Sequence, residues 1–309
     1  MIYTLTLNPA IDRELTVSEV EFDSVLSAIK SQIDIGGKGF NVSRLLKSMG
    51  MESTALGFIG GRTGERLRLG LQSLNIPTDF VSISGETRTN ISIVTEKHDH
   101  YIKVNEKGPM VDDAKQRELL DKVAAMAEPG DWWVLAGSLP PGIPDSFYAE
   151  IINILNEKKA ITVLDTTGES LRLGCEAGPF LVKPNADETH QLTGMPVDTP
   201  AQIAVAAAEL QKMGAQNVVI SLGKKGALLK TTDGCWQVHS PEIQEKNPIG
   251  AGDSMVGGLV WGLLKGYSLK DALGWGAASG AASASMSGTE VGPRNLIEEL
   301  FQQVQYEAL

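Results

Sequence analysis

Apolar runs alternate with amphipathic segments along most of the chain. The runs are rich in Val, Ile and Leu and predict buried strands, and the segments between them predict helices. The predicted strands cover residues 2–7, 53–59, 131–136, 161–165, 180–183 and 217–222, with helices at residues 40–49 and 64–74 and a helical stretch after each strand from residue 131 onward. Strands that alternate with helices predict a mostly parallel sheet with helices on both faces.

Two regions, residues 11–35 and 87–104, break this alternation. Neither has a clear helical period, and stretches such as residues 90–94 alternate polar with apolar side chains. A period of two is typical of strands with one buried face. We therefore expect antiparallel strands in a small sheet outside the main one, a candidate lid. No proline- or serine-rich linker interrupts the sequence, which predicts a single domain over residues 1–309.

The composition is that of an acidic globular protein. The chain has 309 residues, 42% hydrophobic content and a formal net charge of -11. This charge argues against nucleic acid or an anionic membrane surface as a partner, because both are negatively charged. No apolar run approaches membrane-spanning length. Two cysteines, Cys175 and Cys235, and no N-terminal signal pattern predict a cytoplasmic, reduced protein.

A glycine-rich turn before an apolar segment is the strongest candidate for chemistry. Gly250 and Gly252 allow close backbone approach, and residues 255–264 predict a buried helix. The first amides of that helix and its positive dipole end are suited to hold an anion. Asp253 would then accept the proton of an attacking hydroxyl while the amides stabilise charge on the transferred group. The alternative interpretation is an aspartate that only caps the helix.

Polar residues follow the ends of several predicted strands, where open parallel sheets bind ligands. Asn8 and Asp12 follow the first strand. The glycine cluster at residues 36–39, followed by Asn41, could surround a phosphorylated small molecule with backbone amides or form a plain turn. The later strand ends carry Ser138, Asp165, Lys183, Ser221, Gly223 and Gly226. Together these residues predict one active-site rim.

Three further features leave alternatives open. Asn185 and Glu188, three residues apart, could position water around Mg²⁺ or form a helix capping box. A lone aspartate at a strand end, such as Asp165, is usually a cap for the next helix. His98 and His100 could share one face of a strand and bind a metal. The favoured interpretation of this pair is a solvated hairpin tip, because no third ligand lies nearby in the sequence.

Seven motifs, in order over nearly the whole chain, resemble those of one enzyme family. They are Thr6-Leu7-Asn8-Pro9-Ala10-Ile11-Asp12, Gly36-Gly37-Lys38-Gly39-Phe40-Asn41-Val42-Ser43-Arg44, Thr87-Arg88-Thr89-Asn90, Gly137-Ser138-Leu139-Pro140-Pro141-Gly142, Lys183-Pro184-Asn185-Ala186-Asp187-Glu188, Ser221-Leu222-Gly223 and Gly250-Ala251-Gly252-Asp253-Ser254. The chain resembles the phosphofructokinase B family of ribokinase-like carbohydrate kinases, in its 1-phosphofructokinase and tagatose-6-phosphate kinase branch. The resemblance implies a doubly wound sheet, a small β lid that pairs in a homodimer, and the use of ATP and Mg²⁺.

The resemblance also implies a role for each motif. Asp253 falls at the position of the catalytic base, and the backbone of Gly250, Ala251 and Gly252 at the anion hole. The sugar-phosphate positions are occupied by Asp12, Gly37, Lys38, Asn41 and Arg88, with Ser138 on the rim beside them. The nucleotide positions are occupied by Lys183, Asn185, Glu188, Ser221, Gly223, Gly226 and Gly252, with Asn185 and Glu188 facing the metal through water. The small-residue helix at residues 277–285, together with Gly288, would line the adenine side.

The expected reaction is transfer of the γ-phosphoryl group of ATP to a primary hydroxyl of a ketohexose monophosphate. Fructose 1-phosphate is the first expectation, followed by tagatose 6-phosphate and then fructose 6-phosphate. One departure bears on the sugar: residues 25–28, Val-Leu-Ser-Ala, stand where family members often carry an Asn-Arg pair. The alternative from another class is a non-catalytic sugar-phosphate sensor, which normally loses the base that Asp253 represents.

Overall fold

The computed structural model describes residues 1–96 and 101–309, in which the strands form one ten-stranded and one four-stranded sheet. The strands are β1 (Ile2–Thr6), β2 (Ala10–Val17), β3 (Lys30–Gly36), β4 (Thr54–Ile59), β5 (Val81–Ser82), β6 (Arg88–Thr95), β7 (Tyr101–Val104), β8 (Trp132–Ala136), β9 (Ile161–Asp165), β10 (Leu181–Val182), β11 (Asn217–Ser221), β12 (Ala227–Lys230), β13 (Cys235–His239) and β14 (Gln305–Ala308). The helices are α1 (Lys38–Ser48), α2 (Gly61–Ser73), α3 (Asp113–Met126), α4 (Phe147–Glu157), α5 (Gly168–Glu176), α6 (Ala186–Thr193), α7 (Pro200–Met213), α8 (Ala251–Leu264), α9 (Leu269–Ala284) and α10 (Arg294–Phe301).

The ten-stranded sheet is doubly wound. Its order is β14-β13-β12-β11-β10-β9-β8-β1-β4-β5. Every pair from β11 to β5 is parallel, whereas β12, β13 and β14 are added antiparallel at one edge. The chain builds one half outward from β1 and the other outward from β8, so the strand order reverses between these two neighbours. Their carboxyl ends therefore border the crevice in which such sheets bind ligands.

Both faces of the parallel sheet are buried, which explains the continuous apolar runs in the sequence. Along β8, Trp133 and Leu135 pack into one hydrophobic core, and Trp132 and Val134 pack into the other. Side chains of α3, α4, α5 and α7 complete the first core. Those of α1, α8, α9 and α10 complete the second. The expected sheet with helices on both faces is confirmed.

The prediction of a helix directly after residues 217–222 is wrong. The chain leaves β11 and turns through Gly226, at φ 94°, into the antiparallel strands β12 and β13. Only glycine adopts this backbone conformation readily, so a tight turn forms. A Cβ at Gly226 would also collide with the carbonyl oxygen of Val238 on β13.

The four-stranded sheet, ordered β3-β2-β6-β7, is built from the two regions that break the alternation. The expectation of antiparallel strands is correct for β2–β3 and β6–β7, but β2 and β6 run parallel. Ala10 pairs with Arg88 at the start of both strands, so the two strands leave the main body side by side and each is followed by an antiparallel partner. His98 and His100 lie outside the described residues.

The two faces of the four-stranded sheet differ in chemistry. Register partners share a face, so Asp12 lies with Asp34 and Asn90 on what we call the polar face. The opposite face, which we call the apolar face, carries Leu15, Ile33, Ile91, Ile93, Ile102 and Val104, with Arg13 between Ile33 and Ile91. Ile33, Ile91 and Val104 are exposed to solvent. This sheet therefore presents one surface for polar ligands and another that needs cover.

Helices α8 and α9 pack closely because small residues line their contact. A Cβ at Gly258 would lie 2.6 Å from the carbonyl oxygen of Trp275, and one at Gly262 would lie 2.8 Å from the Cα of Ala272. These separations leave no room for a side chain. The close packing seats α8 against the sheet with its N-terminal turn at the crevice. Among the described residues, no helix is long and apolar enough to cross a membrane.

We predict that Gly258→Ala destabilises the fold by about 1–3 kcal/mol, because the added methyl group would have to displace backbone of α9. The measurement is the denaturant midpoint and the free energy of unfolding. Ser73→Ala, in the exposed last turn of α2, is the control and should stay within about 0.5 kcal/mol of the parent. A parent-like midpoint for Gly258→Ala would contradict the close packing.

Candidate active site

The turn before α8 places a carboxylate beside the first backbone amides of the helix, of which that of Ala251 donates to the carbonyl oxygen of Pro248 at 3.2 Å. Gly250 caps the helix in the left-handed conformation at φ 82°, which favours glycine. The helix begins at Ala251, so Asp253 lies inside its first turn and is not the cap. The first amides of a helix have no intrahelical acceptor and carry the positive end of the dipole. Asp253 is buried there, and the interpretation of this residue as a mere helix cap is wrong.

A second glycine-rich turn brings α1 to the same place. Gly37 precedes α1 at φ 142°, where a Cβ would lie 2.9 Å from the ring of Phe40. Asn41, in the first turn of α1, donates from Nδ2 to Asp253 Oδ2 at 2.8 Å. Both side chains are buried. The N-terminal turns of α1 and α8 therefore meet through a hydrogen bond between two predicted site residues.

Asp165, at the end of β9, joins two lysines. Lys38 Nζ lies 3.1 Å from one carboxylate oxygen of Asp165, and Lys183 Nζ lies 3.4 Å from the other. The Asp165 side chain is only 2% exposed. The ammonium group of Lys183 also lies beside α8, because a Cβ at Gly252 would be 3.7 Å from it. The two lysines and the buried carboxylate of Asp165 thus form an ionic cluster, which we call the lysine–aspartate cluster, beside the α8 turn.

The interpretation of Asp165 as a helix cap is wrong. The N-cap of α5 is Thr167, and both carboxylate oxygens of Asp165 face lysines instead. No short sequence motif identifies Asp165 as a site residue, because its partner Lys38 lies 127 positions away in the sequence. The one signal in the sequence was its place at the carboxyl end of a central strand, next to the strand that ends before Lys183.

Burial and the charges of the lysine–aspartate cluster shift the pKa values of Asp165 and Asp253 in opposite directions. Burial raises the pKa of Asp253 to about 6, and the nearby charge of Lys38 only partly offsets this. Burial alone would also raise the pKa of Asp165, but Lys183 and Lys38 hold it below its ordinary value. For Lys38, burial favours the neutral amine, yet the charges of Asp165 and Asp253 raise its pKa above its ordinary value. Asp165 therefore stays ionised while Asp253 can take up and release a proton near neutral pH.

The polar face of the four-stranded sheet supplies the next predicted residues. Asn90 Nδ2 donates to Asp12 Oδ1 at 2.8 Å across the β2–β6 pair. Arg88 Nη2 donates to the carbonyl oxygen of Asn8 at 2.9 Å, and its Nη1 to that of Glu106 at 2.8 Å. The guanidinium group of Arg88 therefore connects the residues after β1 to the segment after β7. Arg88 also lines a cavity of about 420 Å³.

Ser138 lies at the carboxyl end of β8, next to β1. The side-chain amide of Asn8 donates to Ser138 Oγ at 3.4 Å and to the carbonyl oxygen of Lys107 at 3.0 Å. Ser138 itself is exposed on the rim. Asn8 thus connects the two strands at which the sheet order reverses, and Ser138 occupies the edge of the crevice as expected.

A cavity of about 790 Å³ lies beside the first turn of α8. Its lining includes Ser221 at the end of β11, Gly223 just after that strand, and Ala251 and Gly252 of α8. Small residues of α9 form one wall, namely Ala277, Gly280, Ala281 and Ala284. A large cleft with an apolar wall and backbone amides at one end is suited to a nucleotide base and its phosphates.

Two glycines expected at this cleft do not line it. Gly226 makes the turn into β12, and its amide donates to the carbonyl oxygen of Gly223. Gly288 lies against the four-stranded sheet instead, where a Cβ would be 2.5 Å from the Gln32 side-chain nitrogen. The positive φ angles of Gly226 (94°) and Gly288 (60°) favour glycine at both positions. Neither residue lines the cavity.

Asn185 and Glu188 form the capping box that was one of their two interpretations. Asn185 Oδ1 accepts from the Glu188 amide at 2.7 Å, and Glu188 Oε2 accepts from the Asn185 amide at 2.8 Å. Asn185 also bridges to Ser221 at the edge of the large cavity. Within the described ranges, no three His, Cys, Asp or Glu side chains converge to hold a metal directly. A cation here would rest on water and phosphate oxygens, which suits Mg²⁺ because it keeps much of its water shell.

Comparisons with known proteins agree with this geometry. Residues 5–295 match the pfkB family carbohydrate kinase family. The chain is 36% identical to the 1-phosphofructokinase of Bacillus subtilis over 307 residues, which cover 98% of each chain. It is 31% identical to the tagatose-6-phosphate kinase of Staphylococcus epidermidis over 308 residues, 99% of each. A solved structure of the tetrameric inhibited form of phosphofructokinase-2 from Escherichia coli aligns with a TM-score of 0.91 and 30% identity, over 97% of this chain and 98% of that one.

The family match and the doubly wound sheet together identify the chain as a carbohydrate kinase. The chain belongs to the pfkB family, whose members are ATP-dependent sugar kinases. The similarity extends over nearly the whole chain, so it includes both sheets.

We predict that Asp253→Asn stabilises the protein at pH 8 and leaves its stability nearly unchanged at about pH 3. The pKa of Asp253 rises from 3.8 to about 6 on folding, so keeping the carboxylate ionised in the folded state costs free energy above pH 6. Removing that charge should gain on the order of 2–3 kcal/mol at pH 8, and almost nothing at about pH 3, where the acid is mostly protonated in both states.

The measurement is the free energy of unfolding at several pH values. Asp233→Asn, in the exposed turn between β12 and β13, is the control and should show no such change with pH. A lower stability of Asp253→Asn at pH 8 would contradict the assignment of a strained, buried charge.

Proposed function

We propose that this protein transfers the γ-phosphoryl group of ATP to a primary hydroxyl of a ketohexose monophosphate, and that residues 1–309 form one kinase domain. The observation that carries the proposal is the position of Asp253. Its buried carboxylate lies in the first turn of α8 and accepts a hydrogen bond from Asn41 of the α1 turn, and the adjacent residues Ala251 and Gly252 line the large cavity. A hydroxyl bound on one side and a phosphate on the other would meet at this carboxylate.

In the proposed mechanism, Asp253 is the general base. Its raised pKa lets it accept the proton of the sugar hydroxyl while still being ionised at neutral pH. The backbone amides of Gly250, Ala251 and Gly252 form an anion hole for the transferred phosphoryl group. Lys38 and Lys183, held by Asp165, supply positive charge on either side of the reaction centre.

The sugar phosphate would lie against the polar face and the α1 turn. Asp12 offers a carboxylate for sugar hydroxyls, Gly37 a backbone amide, and Arg88 a guanidinium for the phosphate already on the sugar. Arg88 would have to share its donors with the carbonyl oxygens that it binds in this structure. Lys38 and Asn41, in the first turn of α1, would also contact the sugar phosphate, and Ser138 would complete the rim.

The nucleotide would occupy the large cavity. Ser221 and Gly223 lie along its wall, and the α9 wall of small residues is suited to the adenine ring. Lys183 and Gly252 lie at the phosphate end. Asn185 and Glu188 would orient water molecules on Mg²⁺, which supplies neutralisation of the phosphate charge when bound.

Fructose 1-phosphate is the proposed sugar, with tagatose 6-phosphate as the second candidate and fructose 6-phosphate as the third. The 36% identity to a 1-phosphofructokinase, against 31% to a tagatose-6-phosphate kinase, favours this order. A non-catalytic sugar-phosphate sensor is disfavoured because Asp253 and its anion hole are intact. The proposal places the enzyme in the cytoplasm, where both substrates are made.

The test is a coupled ADP-release assay with fructose 1-phosphate, tagatose 6-phosphate, fructose 6-phosphate and free fructose. We expect fructose 1-phosphate to give the highest kcat/KM, and activity to fall as the pH drops through about 6, the pKa of Asp253. Asp253→Asn should lower kcat by about 10²–10⁴ and leave ATP affinity nearly unchanged. A preference for free fructose would remove the sugar-phosphate assignment, and near-normal turnover by Asp253→Asn would remove the assigned base.

We further propose that the four-stranded sheet pairs with a second copy to form a homodimer. Its apolar face exposes Ile33, Ile91 and Val104, which a soluble monomer would leave in contact with water. Its edge strands β3 and β7 also present unpaired backbone groups. A two-fold arrangement is the commonest way in which identical patches cover one another.

We predict that Ile91→Lys converts the dimer to a monomer, because it buries a charge in the proposed interface. The measurement is the molar mass by light scattering at assay concentration. Val205→Lys, which replaces an exposed aliphatic residue on α7, is the matched control and should remain a dimer. A monomeric parent, or an Ile91→Lys variant with the parent mass, would show that this face is not the interface.

A further inference from the structure

One arginine near the α8 turn has no part in the mechanism above. Arg44 lies one helical turn after Asn41 on α1 and is half-buried. Its Nη1 donates to Asn41 Oδ1 at 3.2 Å and to Thr289 Oγ1 at 3.4 Å. The other end of the same amide, Asn41 Nδ2, donates to Asp253 Oδ2 at 2.8 Å. A chain of hydrogen bonds therefore runs from Thr289 through Arg44 and Asn41 to Asp253.

The chemistry of arginine determines which way the Asn41 amide faces. A guanidinium group has donors and no acceptor, so the Asn41 atom that faces Arg44 must be the oxygen. The amide nitrogen is then directed at Asp253, where it donates to the ionised carboxylate. A reversed amide would present its oxygen to Asp253, and only the protonated acid could bond to it.

We propose that Arg44 is a positioning residue that holds the Asn41 amide with its nitrogen toward Asp253 and so keeps this carboxylate in its proton-accepting form. The inference rests on the proposed function, in which Asp253 is the base. Arg44 does not touch the reacting atoms and acts through Asn41 alone.

Other charged groups lie near both ends of this series of hydrogen bonds. Their influence on the pKa of Asp253 must be distinguished from that of the Asn41 amide. Asp253 faces Lys38 of α1, Asp165 of β9 and Lys183 after β10. Arg44 faces Asp34 of β3 and Glu290. Loss of the Arg44 charge could therefore act on Asp253 through space. The Asn41→Ala background distinguishes the two routes, because it removes the amide and leaves every charge in place.

The experiment measures the pH profile of kcat/KM for the best sugar phosphate in the parent, Arg44→Met, Asn41→Ala and the double variant. The acid limb of the profile is the range over which kcat/KM falls as the pH decreases. We expect Arg44→Met to move this limb upward by about one pH unit, which lowers kcat/KM about fivefold at pH 6 and less than twofold at pH 8. Carbon-13 titration of the Asp253 carboxyl should show the same shift. In the Asn41→Ala background, Arg44→Met should cause no further shift.

Arg172→Met is the matched control, because this arginine of α5 binds only Glu169 and Glu176 at the surface among its described ion pairs, and its profile should equal that of the parent. Arg44→Leu, which also has no donor for Asn41 Oδ1, is the second variant if Arg44→Met does not fold, and the same shift is expected.

The outcomes separate the inference from the function. An unchanged acid limb in Arg44→Met or Arg44→Leu, with Asp253→Asn inactive, would overturn the role of Arg44 alone. A shift that persists undiminished in the Asn41→Ala background would also overturn it, since the charge would then act directly. Near-normal turnover by Asp253→Asn would instead overturn the assigned base.

Discussion

The arrangement of the site depends on one buried carboxylate that two lysines neutralise. Asp165 is almost completely removed from water, and an unpaired charge there would cost several kcal/mol. Lys38 and Lys183 offset that cost, and in return each ammonium group is held in a defined place at the edge of the sheet. Because Lys38 begins α1 and Lys183 follows β10, the cluster also fixes the start of α1 relative to two strands.

The same cluster sets the charge that a phosphorylated ligand would meet. With Asp253 ionised, two lysines and two aspartates balance, and with Asp253 protonated the group carries one net positive charge. The site is therefore close to neutral in a chain whose net charge is -11. Binding of polyanions must then draw on backbone amides and a bound cation as well as on lysines, which agrees with the glycine-rich turns at both helix N-termini.

Much of the fold could be predicted from the sequence, because both-face burial produces long apolar runs and their alternation with helices allows few topologies. The α8 turn could also be located, since Gly250, Gly252 and Asp253 are adjacent. Asp165 could not be assigned, because its contacts join residues far apart in sequence. The β12–β13 hairpin and the parallel β2–β6 pair were also missed, because strand periodicity shows a face and not the direction of a partner. The assigned roles of the site residues stay predictions.

The two faces of the four-stranded sheet have a consequence for how the sequence can change. Asp12 and Asn90 lie on the opposite face from Leu15, Ile91 and Ile93 of the same strands, so both surfaces are encoded in β2 and β6. Substitutions on one face can leave the other intact. A single-residue insertion or deletion within β6 would exchange the faces beyond it and place Ser92 outward and Ile93 toward the polar side. During evolution, these strands should therefore vary in residue type far more readily than in length.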